Sequence, residues 1–412
     1  MEEGVVERAV ADAHRREWAY VLAATVRVTR DLDAAEEAVQ DAYVQALRTW
    51  ARGGVPDRPG AWLTTVARRT ALNAMRHRQT LETKLPLLLE PEEAEMPEPD
   101  GDTIPDDRLR LIFTCCHPAL AQEAQIALTL RLVCGVATAD IAQAFLVAEA
   151  TMAARLTRAK KKIAAARIPY TVPSGGDLAE RVDAVLTVIH LLYATGHTAH
   201  SGEDLVRDEL TGRALDLARM LALLLPADRE AAGLLALLLV HHARRVTRTG
   251  AHGRLLRLEE QDRSAWDRDL IAEADRLLVA ALRAGPAGRF VLQAAIAALH
   301  AQAPSSAETD WPQILTLYDE LLRIWPSPVV ALNRAVAVSM VDGPEAALAE
   351  VEALERDGRL ATYRYLPATK ADLLHRLGRD AEAADAYRAA LALTGNAVEQ
   401  EFLAQRVRSV GR

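Results

Sequence analysis

The 412-residue chain predicts an all-α fold built from more than one domain. Half of its residues are apolar but only 4% are aromatic, and alanine, leucine and arginine dominate over the residues that favour strands. Apolar residues recur at helical spacing along most of the chain, and the interruptions are short clusters rich in glycine or proline. These observations together favour helix over sheet.

Residues 1–80 form the first predicted domain. From Val5 to Arg78 the apolar residues keep helical spacing, and the one obvious break is the sequence GGVPDRPG at residues 53–60. Pro59 suits a helix start, because the first turn of a helix does not need the N–H that proline lacks. The helix predicted before the break presents an acidic face: Asp33, Glu36, Glu37, Gln40 and Asp41.

A basic helix is predicted after this break. Its packing side is expected to comprise Ala61, Leu63, Val66, Ala67, Ala71 and Met75. Its basic and polar side chains project elsewhere: Arg68, Arg69, Asn73, Arg76 and Arg78. Trp62 can stack on an unpaired base, although a tryptophan here fits a core position equally well. An acidic helix beside a basic one suits a bridge between a basic protein and a nucleic-acid strand.

Residues 81–107 are predicted to be an extended, acidic linker. Ten acidic residues and several prolines crowd this stretch against Lys84 alone, and no apolar period survives. The charge reverses over residues 108–173, where arginine and lysine far outnumber the acidic residues. Because the whole chain has a net charge of −8, this basic module indicates a local nucleic-acid contact rather than a uniformly basic surface.

The stretch Thr138–Ile163 has the spacing of a helix-turn-helix. Ile141, Ala142 and Phe145 form one helical face, Leu146 and Val147 make a short turn, and a second helix follows. The expected buried stripe of that second helix is Met152, Leu156, Ala159 and Ile163. The residues expected to meet DNA are Glu149, Thr151, Ala153, Arg155, Arg158, Lys160, Lys161 and Lys162. An amphipathic helix with a solvated basic face is the alternative.

Residues 174–412 are predicted to be a helical-repeat domain. Long patterns rich in alanine and leucine alternate with short breaks, and the sequence from Tyr318 resembles the sequence from Tyr387. The period is close to the roughly 34 residues of tetratricopeptide helix pairs. A helical bundle without true repeats is the alternative. Stacked helix pairs would offer a concave surface to a peptide or a partner protein.

Nothing in the sequence points to an enzyme, a metal ion or another cofactor. Cys115, Cys116 and Cys134 lack metal-ligand spacing and are expected to be a buried thiol cluster, and His241-His242 is an equally weak zinc candidate. No phosphate-binding loop or nucleophile elbow is present. No segment suits a membrane span or a signal peptide, so we expect a soluble cytoplasmic protein.

Several segments together resemble bacterial sigma factors of the extracytoplasmic-function group, a branch of the sigma-70 family that keeps only sigma regions two and four. Their order is DAAEEAVQDAYVQAL (33–47), GAWLTTVARRTALNAMRHR (60–78), the acidic linker and DIAQAFLVAEATMAARLTRAKKKI (140–163). The segment RLIFTCCHPALAQEAQIALTLRLVCGV (110–136) and the helical tail are similar to the subgroup with a C-terminal tetratricopeptide-like extension.

The resemblance implies a role for each segment. The acidic face would dock on the clamp coiled coil of the beta-prime subunit, within an RNA polymerase core that includes beta. Trp62–Arg78 would melt and hold the minus-ten promoter element, and Glu149–Lys162 would read the minus-thirty-five element. The linker would lie in the RNA path of the polymerase, where a polyanion can occupy a basic channel.

Two questions stay open at this point. A helix-turn-helix regulator that is not a polymerase subunit would explain Thr138–Ile163 and the tail, but not the charged helices of Asp31–Arg78. We further hypothesise that the tail after Gly175 contacts polymerase, the first two modules or a regulatory protein, and so sets activity. That hypothesis rests on the length of the tail, which exceeds that of the DNA-binding part.

Overall fold

The computed structural model describes residues 3–84, 107–145, 147–173, 177–198, 201–202, 205–250 and 253–410. They form eighteen α-helices and two strands of two residues each, which confirms the predicted all-α fold. Within these residues, no helix combines the length and apolarity that crossing a membrane requires. The chain divides into two compact units, Met1–Val188 and Ile189–Arg412, here called the N-terminal and C-terminal units.

The N-terminal unit begins with three helices that pack against one another: α1 (Glu3–Thr29), α2 (Leu32–Gly53) and α3 (Pro59–Lys84). Asp31 caps α2, because its carboxylate accepts hydrogen bonds from the first free backbone N–H groups of the helix. Gly54 ends α2 with a φ of +81°, a conformation that glycine adopts without strain. Helix α3 starts at Pro59, as predicted.

Four shorter helices follow in the same unit: α4 (Asp107–Cys115), α5 (Gln122–Leu128), α6 (Thr138–Ala144) and α7 (Glu149–Ala165). A π-helical turn, Thr129–Val133, continues α5. Helices α6 and α7 pack together as the predicted helix-turn-helix, although Leu146 of its turn lies outside the described residues. The predicted stripe of α7 is buried: Met152, Leu156, Ala159 and Ile163.

A buried joint connects these two groups of helices. Trp18 of α1 is only 4% exposed, and its Nε1 donates a 3.0 Å hydrogen bond to the carbonyl of Leu132 in the π-helical turn. Gly135 has a φ of +67°, and a Cβ at this position would lie about 3 Å from the Trp18 ring. The Tyr170 hydroxyl donates to the carbonyls of Ala23 and Asp107 at 3.1 and 3.2 Å. The two predicted modules therefore pack as one body.

The boundary between the units falls within α8 (Asp177–His197). The C-terminal unit continues with α9 (Asp208–Leu224), α10 (Arg229–Ala243), α11 (Arg268–Arg283), α12 (Arg289–Gln302), α13 (Trp311–Ile324), α14 (Pro328–Val341), α15 (Pro344–Asp357), α16 (Tyr365–Arg376), α17 (Asp380–Ala392) and α18 (Ala397–Val410). Strands β1 (Ser201–Gly202) and β2 (Gly395–Asn396) pair in parallel. From α12 onward each helix packs on the next, as in a stack of helix pairs.

Some details differ from the sequence predictions. Asp107, predicted as the end of the linker, is the first residue of α4, where its carboxylate pairs with Arg110 at 2.7 Å. A carboxylate at the start of a helix is favoured by the helix dipole, which explains the shift. Ala61 and Met75 are exposed rather than packed, whereas Leu63, Ala67 and Ala71 are buried as expected. Residues 85–106, most of the predicted linker, lie outside the described residues.

Candidate nucleic-acid and protein interfaces

The predicted acidic face lies along α2. Asp33, Glu37, Gln40 and Asp41 are exposed, but Glu36 is buried. Gln40 donates a 3.3 Å hydrogen bond to the Glu36 carboxylate one turn earlier. The sequence therefore placed the five residues on one helix correctly, but it did not predict that one of them is buried while the other four are exposed.

Two cations from the helix-turn-helix module meet the Glu36 carboxylate. Nη2 of Arg131 lies 2.5 Å from Oε1 of Glu36, and Nζ of Lys160 lies 2.6 Å from Oε2. Lys160 also reaches Oδ1 of Asp33 at 2.8 Å. The side chains of Lys160 and Glu36 are only 12% and 9% exposed, so solvent screens this pair weakly. We call these four residues the charge cluster.

The electrostatics of the charge cluster favour the ionised pair. Burial alone would lower the pKa of Lys160, but hydrogen bonds to Asp33 and Glu36 outweigh burial and raise that pKa above its ordinary value. Lys160, which was predicted to face DNA, is therefore charged and occupied by α2 in this conformation. Removing one partner of such a cluster leaves the others in a poorly solvated site.

The basic side chains of α3 surround an open hollow of about 520 Å³, which we call the α3 hollow. Arg68, Arg69, Asn73 and Arg76, four of the predicted minus-ten residues, line it together with Thr64, Thr65 and Leu72. Arg68 is half-buried, and its Nε donates to the carbonyl of Ala24. The side chain of Arg78 lies outside the described ones.

Trp62 lies apart from the α3 hollow. Its ring is half-buried and meets Trp50 edge-on, with ring centroids 5.5 Å apart. A second hollow of about 510 Å³ lies next to the first and shares Thr64 with it. Tyr20 of α1, 48% exposed, lines this second hollow beside Pro59. Tyr20 was not predicted from the sequence, because an aromatic residue within an apolar helix gives no local signal of exposure.

The predicted DNA-contacting face of α7 is largely open. Six of its eight predicted residues are exposed: Glu149, Thr151, Ala153, Arg158, Lys161 and Lys162. Arg155 is half-buried, and its Nη1 pairs with Glu123 at 2.9 Å while its guanidinium lies over the Phe145 ring. Lys160 belongs to the charge cluster instead. The predicted DNA-contacting face of α7 is therefore exposed for the most part, but Arg155 and Lys160 already pair with other protein side chains.

The three cysteines are buried thiols outside any disulfide. Sγ of Cys116 lies 3.5 Å from the hydroxyl of Thr129, and burial raises the pKa of the Cys116 thiol to about 12. Burial also raises the pKa of Cys115 well above its ordinary value. The Cys115 and Cys116 thiols therefore stay protonated, which suits packing rather than metal binding. No group of three or more metal-ligating side chains occurs among the residues described.

Comparisons with known proteins agree with this arrangement. Residues 13–80 match the family model of sigma-70 region 2, and residues 110–163 match that of sigma-70 region 4. Residues 181–282 match a family of unknown function, DUF6596. The chain belongs to the sigma-70 family, as an extracytoplasmic-function type of sigma factor with a helical C-terminal extension.

A relative from Rhizobium meliloti (strain 1021), described as an uncharacterized protein, is 46% identical over 388 residues. The match covers 93% of this chain and 91% of the relative. No solved structure matches the chain. As a sigma factor, the protein binds the RNA polymerase core and promoter DNA and initiates transcription. The alternative of a helix-turn-helix regulator is not favoured, because region 2 matches as well as region 4.

Proposed function

We propose that each charged surface of the N-terminal unit has a separate task in transcription initiation. The acidic face of α2 contacts the clamp coiled coil of the beta-prime subunit of core polymerase, which also includes the beta subunit. The exposed face of α7 contacts the minus-thirty-five element. The proposed domains are residues 1–80 for region two, 81–107 for the linker, 108–173 for region four and 174–412 for the tail.

The α3 hollow holds the minus-ten element as a single strand. The observation that carries this assignment is that Arg68, Arg69, Asn73 and Arg76 surround one open hollow, which suits a backbone phosphate and its base. The neighbouring hollow adds Tyr20, whose exposed ring offers an unpaired base a stacking surface. Trp62 has a weaker claim, because its ring is half-buried and packs against Trp50.

The free protein rests in a closed state that polymerase opens. Lys160 and Glu36, proposed to contact DNA and polymerase respectively, pair with each other in the charge cluster. Trp18 and Leu132 hold the same two modules together. Both surfaces become fully available only when these contacts separate. A closed state would keep the chain off DNA until polymerase presents it.

The tail modulates this activity, either directly or through a regulatory protein bound to its stacked helices. Its helix pairs support a tetratricopeptide-like arrangement: α13, α15 and α17 begin at Trp311, Pro344 and Asp380, near the expected period. The chain acts in the cytoplasm, where its polymerase and DNA partners lie, and contributes binding rather than catalysis.

Reconstituted transcription with core polymerase separates the proposed tasks. Asp41→Asn on the acidic face should weaken core binding, whereas Arg69→Gln and Tyr20→Ala should leave core binding intact and reduce open-complex formation about tenfold. Tyr20→Phe keeps the ring and should behave as wild type. If Arg69→Gln weakened core binding as much as Asp41→Asn does, the division of tasks would be wrong.

A further inference from the structure

The C-terminal unit contains a cavity that the transcription role does not use. It measures about 720 Å³. It lies between the segment Leu255–Glu259 and residues of helices α12, α14, α16 and α18. Small-molecule sites in proteins usually measure about 300–1,000 Å³. We call it the tail cavity.

The wall of the tail cavity is mainly apolar. Trp311, Val336, Met340 and Phe402 line it, and Val336 and Met340 remain 38% and 45% exposed. Exposed apolar side chains that face a concave site favour an apolar ligand body, because binding removes their surface from water.

One part of the wall is cationic. Arg406 and Arg257 share the carboxylate of Asp372, at 3.1 and 3.7 Å, and Arg257 also pairs with Glu259 at 2.5 Å. Arg376 differs: its guanidinium donates to the hydroxyl and the carbonyl of Ser339, both at 2.9 Å. Among the described residues, Arg376 has no carboxylate partner. Arg376 is exposed, and within the part of the chain that the structure describes its guanidinium remains available to an anionic group, which favours an anionic ligand.

Two ring nitrogens in the lining of the tail cavity are buried and could pair with a ligand. Nε1 of Trp311 and Nδ1 of His300 are buried and have no hydrogen-bond partner among the residues that the structure describes, and both residues line the tail cavity. Their rings meet edge-on, with centroids 5.1 Å apart. Burial, aided by Arg244 and Arg263, lowers the pKa of His300 to about 4, so this ring is neutral. Native proteins seldom leave a buried indole N–H without an acceptor.

We propose that the tail cavity binds a small organic anion, a carboxylate or phosphate monoester on an apolar body. Its anionic group meets Arg376, its apolar body lies against Phe402 and Met340, and an acceptor on the ligand meets Nε1 of Trp311. The segment Leu255–Glu259 borders the cavity and is tied to α16 through Arg257 and Asp372, so a polypeptide would have to displace it. This argues for a small molecule over a peptide.

Isothermal titration calorimetry on the full-length chain tests the proposal with three probes: 3-phenylpropionate, phenyl phosphate and the neutral 3-phenylpropionamide. At least one anion should bind about tenfold more tightly than the amide. Arg376→Gln should weaken that binding about tenfold, and Trp311→Phe, which keeps an aromatic ring but loses the N–H, should weaken it severalfold. The preferred anion distinguishes carboxylate from phosphate.

Arg388→Gln is the matched control, because Arg388 is an exposed arginine of α17 that pairs with Asp385 and does not line the cavity. It should bind the anion as wild type does. Thermal unfolding without ligand verifies that each variant is folded. No binding in the millimolar range, binding equal to that of the amide, or equal losses in Arg376→Gln and Arg388→Gln would overturn the proposal. Because these readouts need neither polymerase nor promoter, they stand or fall separately from the proposed tasks in transcription.

Discussion

At the residue scale, Glu36 shows how one side chain links two modules of the N-terminal unit. It is buried on α2 and accepts from Arg131 and Lys160, which lie 95 and 124 positions along the chain. A buried carboxylate with two cationic partners is stable only while both modules stay together. The same atoms are those proposed to meet polymerase and DNA.

Lys160→Gln should weaken the closed state. Glu36 keeps Arg131 but loses one charged hydrogen bond, so the free energy of unfolding of the N-terminal unit should fall by about 1–3 kcal/mol. Because the closed state competes with polymerase, affinity for the core enzyme should rise by up to about tenfold. Chemical denaturation and a core-binding titration measure the two effects.

Lys161→Gln is the control for this change, since Lys161 is the exposed neighbour on the same helix. It should alter neither stability nor core binding. Equal core affinity for the Lys160 and Lys161 variants would show that the charge cluster does not restrain the protein.

At the element scale, the periodicity of a helix predicted which face packs but not what its other face meets. The stripe of α7 from Met152 to Ile163 is buried as the spacing indicated. Lys160, Lys161 and Lys162 are consecutive, yet the first is held by α2 and the other two are exposed. Adjacent helical positions differ by about 100°, so only the placement of α2 decides which lysine is occupied.

Lys161→Gln combined with Lys162→Gln should weaken promoter binding by the holoenzyme without changing its sequence preference. Phosphate contacts carry little sequence information, and each lost contact should reduce the slope of log affinity against log salt by about 0.9. Binding titrations across salt concentrations measure this slope. Lys370→Gln, in helix α16 of the C-terminal unit, is the control and should leave the salt slope unchanged. If the double variant also left the slope unchanged, α7 would not be the helix that contacts DNA.

Helices of the C-terminal unit carry buried histidines that should make it sensitive to acid. Burial, aided by Arg289, lowers the pKa of His190 to about 4, and burial with Arg244 lowers that of His241 well below its ordinary value. The folded state keeps these rings neutral, whereas the unfolded chain protonates them near pH 6.5. Stability is therefore complete above about pH 6.5 and falls as the pH drops toward 4.

His190→Gln, which cannot be protonated, should reduce this loss. The His190 contribution amounts to about 2 kcal/mol between neutral pH and pH 5. Thermal unfolding of the full-length wild type and variant at both pH values measures the difference. An identical pH dependence for the two proteins would mean that His190 is not kept neutral by its surroundings.

At the scale of the whole molecule, the unit boundary decides how the tail hypothesis is tested. A truncation after Pro173 would remove Arg181, whose Nη2 donates a 2.6 Å hydrogen bond to the carbonyl of Phe113 inside the N-terminal unit. A chain ending at Val188 retains that contact. If the tail modulates initiation, this shorter chain should bind core polymerase and give a promoter output that differs from wild type by at least about tenfold. Unchanged transcription would dispose of the hypothesis.

Local chemistry was sufficient to predict the helices and much of the charge distribution. The break at residues 53–60, the start of α3 at Pro59 and the buried stripe of α7 follow from spacing and from proline's missing N–H. The amphipathic pattern also predicted that Arg68, Arg69, Asn73 and Arg76 lie on one helix. Residues three or four positions apart on a helix lie on similar faces, which separates these side chains from the packed ones. The order of the segments carried the family resemblance.

Tertiary packing alone decided which charged and aromatic side chains are paired with other protein groups and which are exposed. Residues far away in the chain decide the pairing of Lys160 with Glu36 and the exposure of Tyr20. They also decide that Arg376 donates to Ser339. Helical periodicity indicates which face of a helix is apolar. The partner of a charged side chain, however, is supplied by the helix that packs beside it. The burial and ion pairing of a charged side chain depend on how helices pack in three dimensions, so no local sequence pattern predicts them.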